Sequence, residues 1–387
     1  MNLKIYIFII ITLGIYIYYN KKQTIKKTIY NNITKDFYKE LDGYNFMNEI
    51  LVNSGLVTNS CKPNGILESV MNNRNIVSTN YFIPCTYDTC ERDSKQFEHT
   101  ESSIFIIDGC DVLASKVALW NTIHEYYGNE ATEYMPKTFI LNHDKNFIEH
   151  FHYNKSKRPD QMYVLKNYEQ RQEGIKITRD LDEIINGYSN GWFLVQDYIY
   201  NPFLIDRRKI NFRYYLLIVC KKNSNNKIDA YLHKDGFLYY TPEYYDEYDM
   251  TFNKHITTGY IDRTIYDNNP LTLEDFREYL DNVYNGLSNK WDQSAINLMT
   301  KIVQALSTKI CKNNKLNKTL RFQLFGCDLA PDSKLGCKLM EINKGPDMNA
   351  KDERDKAVKT KVQDDIFSII ENNDEQNYLG TNFIKIY

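Results

Sequence analysis

The strongest constraint on the fold is the segment from Arg321 to Asn349, in which two runs with alternating apolar residues flank a short polar stretch. The residues Pro331, Asp332 and Gly336 in that stretch are typical of a tight turn. Because alternation with a period of two is the pattern of a β-strand, the segment predicts a hairpin. One face of the first strand is predicted to carry Phe322, Leu324, Gly326 and Asp328, and one face of the second strand Leu339, Glu341 and Asn343.

Three polar side chains with oxygen atoms stand at the end of this predicted hairpin, namely Asp328, Glu341 and Asn343. Carboxylate and amide oxygens are the ligands that Mg²⁺ prefers, and nucleotide phosphates commonly complete its coordination. The three residues are therefore candidate metal ligands. An ordinary core hairpin, whose polar residues only mark the strand ends, would show the same pattern.

The size and charge of the chain limit its class. A chain of 387 residues is too long for one compact core, so two or three lobes are expected. The formal net charge of −2 gives no general electrostatic reason to bind nucleic acid. The eight cysteines include no Cys-x-x-Cys pair, which favours buried reduced thiols over a zinc site or a disulfide framework. No third candidate metal ligand stands near His150 and His152 in the sequence, so a surface loop is predicted for these two histidines rather than a metal site.

The N-terminal segment predicts a membrane anchor. Residues 3–19 are apolar apart from Lys4 and Thr12, and a cluster of lysines follows within residues 21–27. A helix of that length spans about 25 Å, enough for a thin bilayer. Because no small-residue cleavage site follows, a single-pass anchor is favoured over a secretory signal, and the lysines place the catalytic part in the cytosol. A buried N-terminal helix or strand is the alternative.

Basic residues stand on two further predicted strands. Lys166 ends an apolar run and precedes a polar loop that closes at Gly174. This position suits a phosphate contact, although a surface hairpin has the same pattern. Lys209 and Arg213 are four residues apart, so they share one face of a strand. A solvated edge strand would show the same spacing.

Four segments have the periodicity of amphipathic helices. Lys116 is placed on the exposed face of the first, Thr272 begins the second, and Ser294 begins the third. The segments are residues 111–127, 271–287, 294–310 and 351–372. The sequence contains no GxGxxG, GxxxxGK[ST] or GxSxG motif, so dinucleotide, P-loop and serine-hydrolase sites are not predicted.

Several segments, taken in order, resemble the tubulin–tyrosine ligase-like family, which has the ATP-grasp fold. The run at 195–213 together with the MEIN sequence at 340–343 is the most specific part of the resemblance. The matching pieces are MPKTFIL at 135–141, YVLK at 163–166, EGIKI at 173–177, VQDYIYNPFLIDRRKINFR at 195–213, YLHKDG at 231–236, HITT at 255–258, FGCDLAP at 325–331 and LMEINKGP at 339–346.

The resemblance implies a role for each matching polar residue. It implies that Lys116 and Lys166 hold the phosphates of ATP and that residues 196–199 contact adenine. The full set of ATP-binding residues that it implies is Lys116, Lys166, Gln196, Asp197, Tyr198, Ile199, Lys209 and Asn211. It implies that the residues close to the reacting groups are Lys209, Arg213, His255 and Thr257. It implies that Mg²⁺ is held by Asp328, Glu341 and Asn343.

Three positions depart from the family's pattern. Asn211 stands where the family usually has Asp, and Thr258 stands where it usually has Asn. Lys234 stands where an Arg is common in the hairpin before glycine, and lysine cannot replace arginine in bidentate carboxylate recognition. The phosphate loop also carries EQRQEG in place of a small, glycine-rich stretch. These departures bear on the amino-acid or acceptor subsite, and tubulin as the substrate does not follow.

The resemblance implies an ATP-dependent ligase that joins a free amino acid to a protein acceptor, tubulin or another acidic tail, through an acyl phosphate. A membrane-tethered, inactive nucleotide-binding scaffold and a kinase-like phosphotransferase are the alternatives. The expected fold is α+β and ATP-grasp-like, with mixed and antiparallel sheets in three lobes and the nucleotide between the last two. The expected division is 1–27 for the anchor, 28–150 for the N-terminal lobe, 151–195 for the central lobe and 196–387 for the C-terminal lobe.

Overall fold

A computed structural model of the protein describes residues 65–76, 81–82, 91, 103–167, 174–220, 228–312, 320–371 and 378–387. Within these ranges, no helix is both long enough and apolar enough to cross a membrane. The predicted anchor at residues 3–19 lies outside the described residues, so the anchor stays a prediction.

Thirteen strands and ten α-helices lie in the described part of the chain. The strands are β1 (Tyr81–Phe82), β2 (Ser103–Ile104), β3 (Thr138–Ile140), β4 (Tyr163–Lys166), β5 (Ile175–Thr178), β6 (Leu194–Asp197), β7 (Leu204–Ile205), β8 (Arg208–Cys220), β9 (Ile228–His233), β10 (Phe237–Tyr240), β11 (Arg321–Pro331), β12 (Cys337–Asn343) and β13 (Phe383–Lys385). The α-helices are α1 (Gly65–Asn73), α2 (Cys110–Ala114), α3 (Lys116–Tyr127), α4 (Ala131–Tyr134), α5 (Phe147–Lys157), α6 (Leu181–Ile185), α7 (Phe252–His255), α8 (Leu273–Val283), α9 (Ser288–Leu306) and α10 (Glu353–Glu371).

These strands form two sheets. The larger sheet follows the order β1-β2-β11-β8-β9-β13, with β7 and β10 also paired to β8 and with β12 paired to β11. It is mixed, because β2 is parallel to both β1 and β11 while the other pairs are antiparallel. The smaller sheet is antiparallel and has the order β3-β6-β4-β5. The prediction of an α+β fold with mixed and antiparallel sheets is confirmed, whereas the three lobes and the nucleotide position stay predictions.

Strand β8 is the centre of the larger sheet. One of its edges pairs with β11, and the other pairs first with β10 and then with β9. Side chains of successive residues point to opposite faces of a strand. The face that carries Phe212 packs against α9, where the Phe212 ring centroid lies 4.3 Å from that of Trp291. The opposite face carries Lys209, Asn211 and Arg213, so both cations of the predicted pair point away from the aromatic core.

Strands β11 and β12 form the predicted hairpin, with one difference in side-chain direction. Asp328 pairs with Glu341, but the next pair is Leu329 with Leu339, because a β-bulge lies between them. The extra residue, Met340, turns Leu339 to the face of Leu329. The prediction that Leu339 shares a face with Glu341 is therefore wrong, and Leu339 is instead fully buried in the core.

The smaller sheet also has two different faces. Leu165 and Val195 lie in a cluster of buried apolar residues with Phe147 and Phe151 of α5. Lys166, the next residue on β4, points to the opposite face. The prediction that Lys166 ends a strand is thus confirmed, and the lysine is only 5% exposed, which excludes a solvated surface hairpin.

The predicted helices are present with shifted bounds. The first is divided at Ser115, whose hydroxyl accepts from the backbone N–H of Ala118 and begins α3. The second has the predicted capping box, in which Thr272 and Asp275 bond each other's backbone N–H groups. The third begins at Ser288, so Ser294 lies inside α9 and the prediction that it caps this helix is wrong. The last, α10, agrees with the prediction.

Two predictions about single residues are wrong. Cys220 and Cys311 form a disulfide, so these two are not reduced thiols, although Cys110 and Cys327 are free and buried as expected. The second error concerns His150, which lies in helix α5 rather than in a surface loop. The predicted domain division stays a prediction.

We expect the Tyr214→Phe substitution to destabilise the fold. The indole N–H of the fully buried Trp291 donates to the Tyr214 hydroxyl at 2.9 Å, and phenylalanine leaves this donor without its acceptor. The expected loss is about 1–3 kcal/mol in the free energy of unfolding, measured by urea titration. The control Tyr153→Phe changes an exposed tyrosine and is expected to stay within about 0.5 kcal/mol. Equal stability of Tyr214→Phe and the control would contradict this assignment.

Candidate active site

Three charged residues lie side by side across neighbouring strands of the larger sheet. Arg213 of β8 is opposite Asp328 of β11, and Asp328 is opposite Glu341 of β12. Residues that pair directly project from the same face. The row therefore lies on the face of β8 that also carries Lys209 and Asn211.

The contact between Arg213 and Asp328 is bidentate. The guanidinium Nε lies 2.6 Å from Oδ1 of Asp328, and Nη2 lies 3.0 Å from Oδ2. Gly326, two residues before Asp328 on β11, leaves space for the arginine. A Cβ at this glycine would lie 3.0 Å from Cδ of Arg213, which is closer than ordinary packing allows. The bidentate contact and the space left by Gly326 together determine the position of the arginine side chain.

The two carboxylates are close neighbours, and Asn343 bridges them. Its amide Nδ2 donates to Asp328 at 3.4 Å and to Glu341 at 3.2 Å. Burial raises the pKa of Asp328 to about 6, with a further upward effect of Glu341 and an opposing effect of Arg213. Burial also acts to raise the pKa of Glu341, but the charges of Lys166 and Lys116 outweigh it and the net direction is downward. Two acidic groups held this closely provide a set of oxygen donors suited to a divalent cation.

Lysines outside the larger sheet complete the arrangement. Burial lowers the pKa of Lys166 to about 8, Lys116 acts in the same direction, and Glu341 and Asp328 oppose it. Lys116 begins helix α3, and its Nζ donates to the carbonyl of Asn167 at 3.1 Å. The smaller sheet and helix α3 therefore bring two cations to the carboxylates of the larger sheet. We call this group the charged cluster, and its members are Lys116, Lys166, Arg213, Asp328, Glu341 and Asn343.

A second group of predicted site residues surrounds Tyr198, which directly follows β6. Its hydroxyl lies 2.7 Å from Nδ1 of His255 and 3.4 Å from Nζ of Lys209. The Lys209 Nζ also lies 4.6 Å from the centroid of the Tyr198 ring. Burial lowers the pKa of Lys209 to about 8, and the charge of Lys166 acts in the same direction. This electrostatic coupling connects the second group to the charged cluster.

The remaining candidates near β6 have other contacts. Gln196 is buried, and its amide nitrogen donates to the Thr138 hydroxyl at 2.8 Å. Its Oε1 is buried and has no hydrogen-bond partner in the part of the chain that the structure describes. The carboxylate of Asp197 accepts from Nε2 of His150 at 2.8 Å. That carboxylate is therefore committed to helix α5, whereas Ile199 is half-buried beside Tyr198.

Two candidates on the larger sheet have neighbours of their own. Asn211 lies between Lys209 and Arg213 on their face of β8, and no described residue forms a hydrogen bond with its buried Oδ1. Thr257 precedes Thr258, which forms an isolated bridge with Tyr240 of β10. Thr257 itself is half-buried next to this bridge.

Tyr239 of β10 lies diagonally across from Arg213, and the sequence reasoning missed it. Tyr239 is opposite Asn211 in the sheet, and the Arg213 guanidinium carbon lies 5.4 Å from its ring centroid. Lys234, by contrast, is exposed at the turn before β10. Counting back from the turn along the hairpin would have placed Tyr239 on this face.

Two sheets that bring lysines and carboxylates together suit a protein that binds an anionic ligand together with a cation. Comparison with known sequences agrees with this class. The model of the tubulin-tyrosine ligase family matches residues 95–377, which is more than half of the chain. The chain therefore belongs to the tubulin-tyrosine ligase family.

Several characterised or named relatives are similar to part of this chain. Tubulin glycylase 3B of Drosophila melanogaster is 25% identical over 268 residues, covering 65% of this chain and 34% of that protein. A probable alpha-tubulin polyglutamylase of Tetrahymena thermophila is 26% identical over 277 residues, covering 65% of this chain and 64% of that protein. A probable tubulin polyglutamylase of Caenorhabditis elegans is 24% identical over 255 residues, covering 62% and 58%. The chain spans less than two thirds of the length of each of these relatives.

We expect Arg213 and Asp328 to be energetically coupled. Arg213→Ala leaves a partly buried carboxylate without its cation, and Asp328→Ala leaves a guanidinium without its anion. The losses of unfolding free energy in the two single variants are expected to add up to more than the loss in the double variant. The difference is the coupling energy, and we expect about 1–3 kcal/mol. Urea unfolding of the four proteins at pH 7 gives this value. Additive effects within about 0.5 kcal/mol would show that the contact contributes nothing.

Proposed function

We propose that this protein is an ATP-dependent ligase that forms an amide bond between an amino acid and a protein acceptor. The observation that carries the proposal is the charged cluster, in which Lys166 of one sheet neighbours the carboxylates of Asp328 and Glu341 on the other. Membership of the tubulin-tyrosine ligase family supports the ligase class, because the relatives are named as glycylases and polyglutamylases.

In this proposal Lys116 and Lys166 bind the phosphates of ATP. Both side chains are cationic donors that suit phosphate oxygens, and the burial of Lys166 strengthens its attraction for an anion. The segment that ends β6, residues 196–199, contacts the adenine. The buried Oε1 of Gln196, which has no hydrogen-bond partner among the described residues, is an acceptor that this segment can offer to a ligand.

The donor set also fits Mg²⁺. Asp328, Glu341 and Asn343 supply hard oxygen ligands, and the raised pKa of Asp328 indicates that its negative charge lacks full compensation in the free protein. When bound there, the ion would neutralise negative charge on the phosphates. Arg213 then orients Asp328 through its bidentate contact and adds positive charge next to the reacting groups.

The proposed reaction needs no side-chain nucleophile. A substrate carboxylate attacks the γ-phosphate of ATP, which gives an acyl phosphate and ADP, and an amine then displaces the phosphate to form the amide. Negative charge develops on the phosphoryl oxygens, so positioning and electrostatic stabilisation carry the catalysis. Lys209 and Arg213 are the residues of β8 that we assign to this task.

The acceptor and amino acid are proposed at the level of class. The curated relatives are named for their action on tubulin, so an acidic tubulin tail is the first acceptor to test. The decisive experiment incubates the protein with ATP, Mg²⁺, isotope-labelled amino acids and either purified tubulin or a cell extract. Peptides that gain an amino-acid mass support a ligase, whereas peptides that gain phosphate support a phosphotransferase.

An inactive, nucleotide-binding scaffold is the second candidate. The observation that favours it is Asn211, a neutral amide between Lys209 and Arg213 whose Oδ1 has no hydrogen-bond partner within the described ranges. The family usually has Asp at this position, so Asn211 removes a negative charge from between the two cations. Their positive charges are then less compensated. A melting temperature that rises with ATP and Mg²⁺, combined with no acceptor-stimulated ADP release, would favour the scaffold.

We expect Glu341→Gln and Lys166→Ala to act on different steps. The glutamine keeps the shape of Glu341 but removes an anionic ligand, so the maximal rate of ADP release should fall by about 10²–10³-fold with little change in stability. Lys166→Ala removes a charge that binds phosphate, so the ATP concentration for half-maximal rate should rise by about 10- to 100-fold. Both are measured by ATP titration of ADP release.

The matched control for the lysine is Lys176→Ala. Lys176 lies on β5 of the same sheet, but it pairs with Leu165 rather than with Lys166 and is exposed. This control should leave the ATP requirement unchanged. If Lys176→Ala and Lys166→Ala raise it equally, the effect comes from total charge rather than from the charged cluster.

We further propose that residues 3–19 anchor the protein in a membrane, with the catalytic part in the cytosol. The motivation is the apolar run followed by lysines, which has the length and flanking charge of a single-pass anchor. Deletion of residues 1–27 should move the protein from the membrane fraction to the aqueous fraction and retain its stabilisation by ATP and Mg²⁺. Full-length protein in the aqueous fraction would overturn the anchor.

A further inference from the structure

A chain of hydrogen bonds connects three separate elements around Tyr198. It begins at the backbone carbonyl of Asp249, continues through both ring nitrogens of His255 and the Tyr198 hydroxyl, and ends at Nζ of Lys209. Tyr198 follows β6 of the smaller sheet, Lys209 lies on β8 of the larger sheet, and His255 ends helix α7. The order of donors and acceptors along this chain can be deduced.

The chain is anchored at a group that can only accept. The carbonyl of Asp249 contacts Nε2 of His255, so Nε2 must carry a hydrogen. The position of this carbonyl is fixed, because the Asp249 side chain accepts from the backbone of Thr251 at 2.8 Å and from Lys254 at 2.6 Å. His255 is only 1% exposed, and burial lowers its pKa. The ring is therefore neutral at pH 7, and its single N–H is on Nε2.

The rest of the order follows from this tautomer. The Nδ1 atom of a neutral ring protonated at Nε2 is an acceptor, so the Tyr198 hydroxyl donates to it across 2.7 Å. Burial raises the pKa of Tyr198, which keeps the hydroxyl protonated. Its only hydrogen is then committed to His255, and its oxygen accepts from Nζ of Lys209. Lys209 has three N–H groups, so one holds its position and the others can be directed to a ligand.

We propose that Tyr198 is a positioning residue whose hydroxyl holds His255 as the Nε2-protonated tautomer and fixes Lys209 for the reaction. This inference rests on the proposed ligase function for its kinetic consequence, but not for the tautomer. The ring of Tyr198 packs in an apolar cluster with Met162, Val164 and Ile177. Phenylalanine at this position therefore keeps the packing and removes only the hydroxyl.

The tautomer is tested without any substrate. Long-range ¹H–¹⁵N NMR of the ¹⁵N-histidine-labelled protein at pH 7 distinguishes the two ring nitrogens, and His255→Gln identifies the signal. The expected result is a neutral ring with the proton on Nε2. In Tyr198→Phe, the Nδ1 resonance should move towards that of an acceptor nitrogen without a hydrogen bond. A proton on Nδ1 in the wild-type protein, or an unchanged Nδ1 resonance in the variant, would overturn the proposal.

The kinetic consequence is tested by ADP release. Tyr198→Phe should lower the maximal rate by about 10- to 100-fold, because Lys209 loses its fixed position. The half-saturating ATP concentration should change by less than about twofold, because phenylalanine keeps the ring in the segment that we assign to the adenine and removes only the hydroxyl. The matched control is Tyr200→Phe. The Tyr200 hydroxyl accepts from the backbone N–H of Met162 at 2.5 Å, so this control should lower the melting temperature but leave the rate unchanged.

The outcomes separate this inference from the proposed ligase function. Equal rates for Tyr198→Phe and the wild-type protein would exclude a positioning role, and so would equal losses of rate in Tyr198→Phe and Tyr200→Phe. If the wild-type protein releases no ADP with any acceptor, the proposed function fails, while the NMR result still decides the direction of the hydrogen-bond chain. A double variant of Tyr198→Phe and His255→Gln should be no slower than the slower single variant, because both interrupt one chain.

Discussion

The charged cluster depends on one row of side chains across three strands, formed by Arg213, Asp328 and Glu341. Two carboxylates opposite each other repel and reduce the stability of a sheet. The β8–β11–β12 backbone pairing nevertheless keeps them together, and the bidentate contact of Arg213 offsets part of the repulsion. The same balance leaves negative charge available for a cation and is consistent with the raised pKa of Asp328. The repulsion between the two carboxylates reduces the stability of the free protein, and a bound cation would relieve it.

The parts of this structure that could be predicted from sequence depend on local patterns. Alternation identified the hairpin that carries Asp328 and Glu341, and the capping box identified the start of α8. The bulge at Met340 could not be predicted, because it depends on the register between two strands rather than on the residues of one. The same reason explains why Tyr239 was missed, since its position beside Arg213 follows from pairing with β8.

Contacts between distant parts of the chain were beyond a reading of single segments. The disulfide of Cys220 with Cys311 joins the end of β8 to the region after α9, and residues 91 positions apart give no spacing signal. The neighbourhood of Lys166 and Glu341 required the family resemblance, because each residue alone was compatible with an ordinary strand end. The contacts of Tyr198 with His255 and Lys209 likewise need two sheets and a loop to be placed together.

The alternation along β8 has a consequence for how this protein can change in evolution. At about 3.3 Å per residue, the strand sets Lys209 and Arg213 about 13 Å apart on one face, while Phe212 and Tyr214 face the helices. Substitutions can adjust each position separately. Insertion or deletion of one residue inside the strand would exchange the two faces for every residue beyond it. Lineages of this protein should therefore vary in the composition of β8 but keep its length.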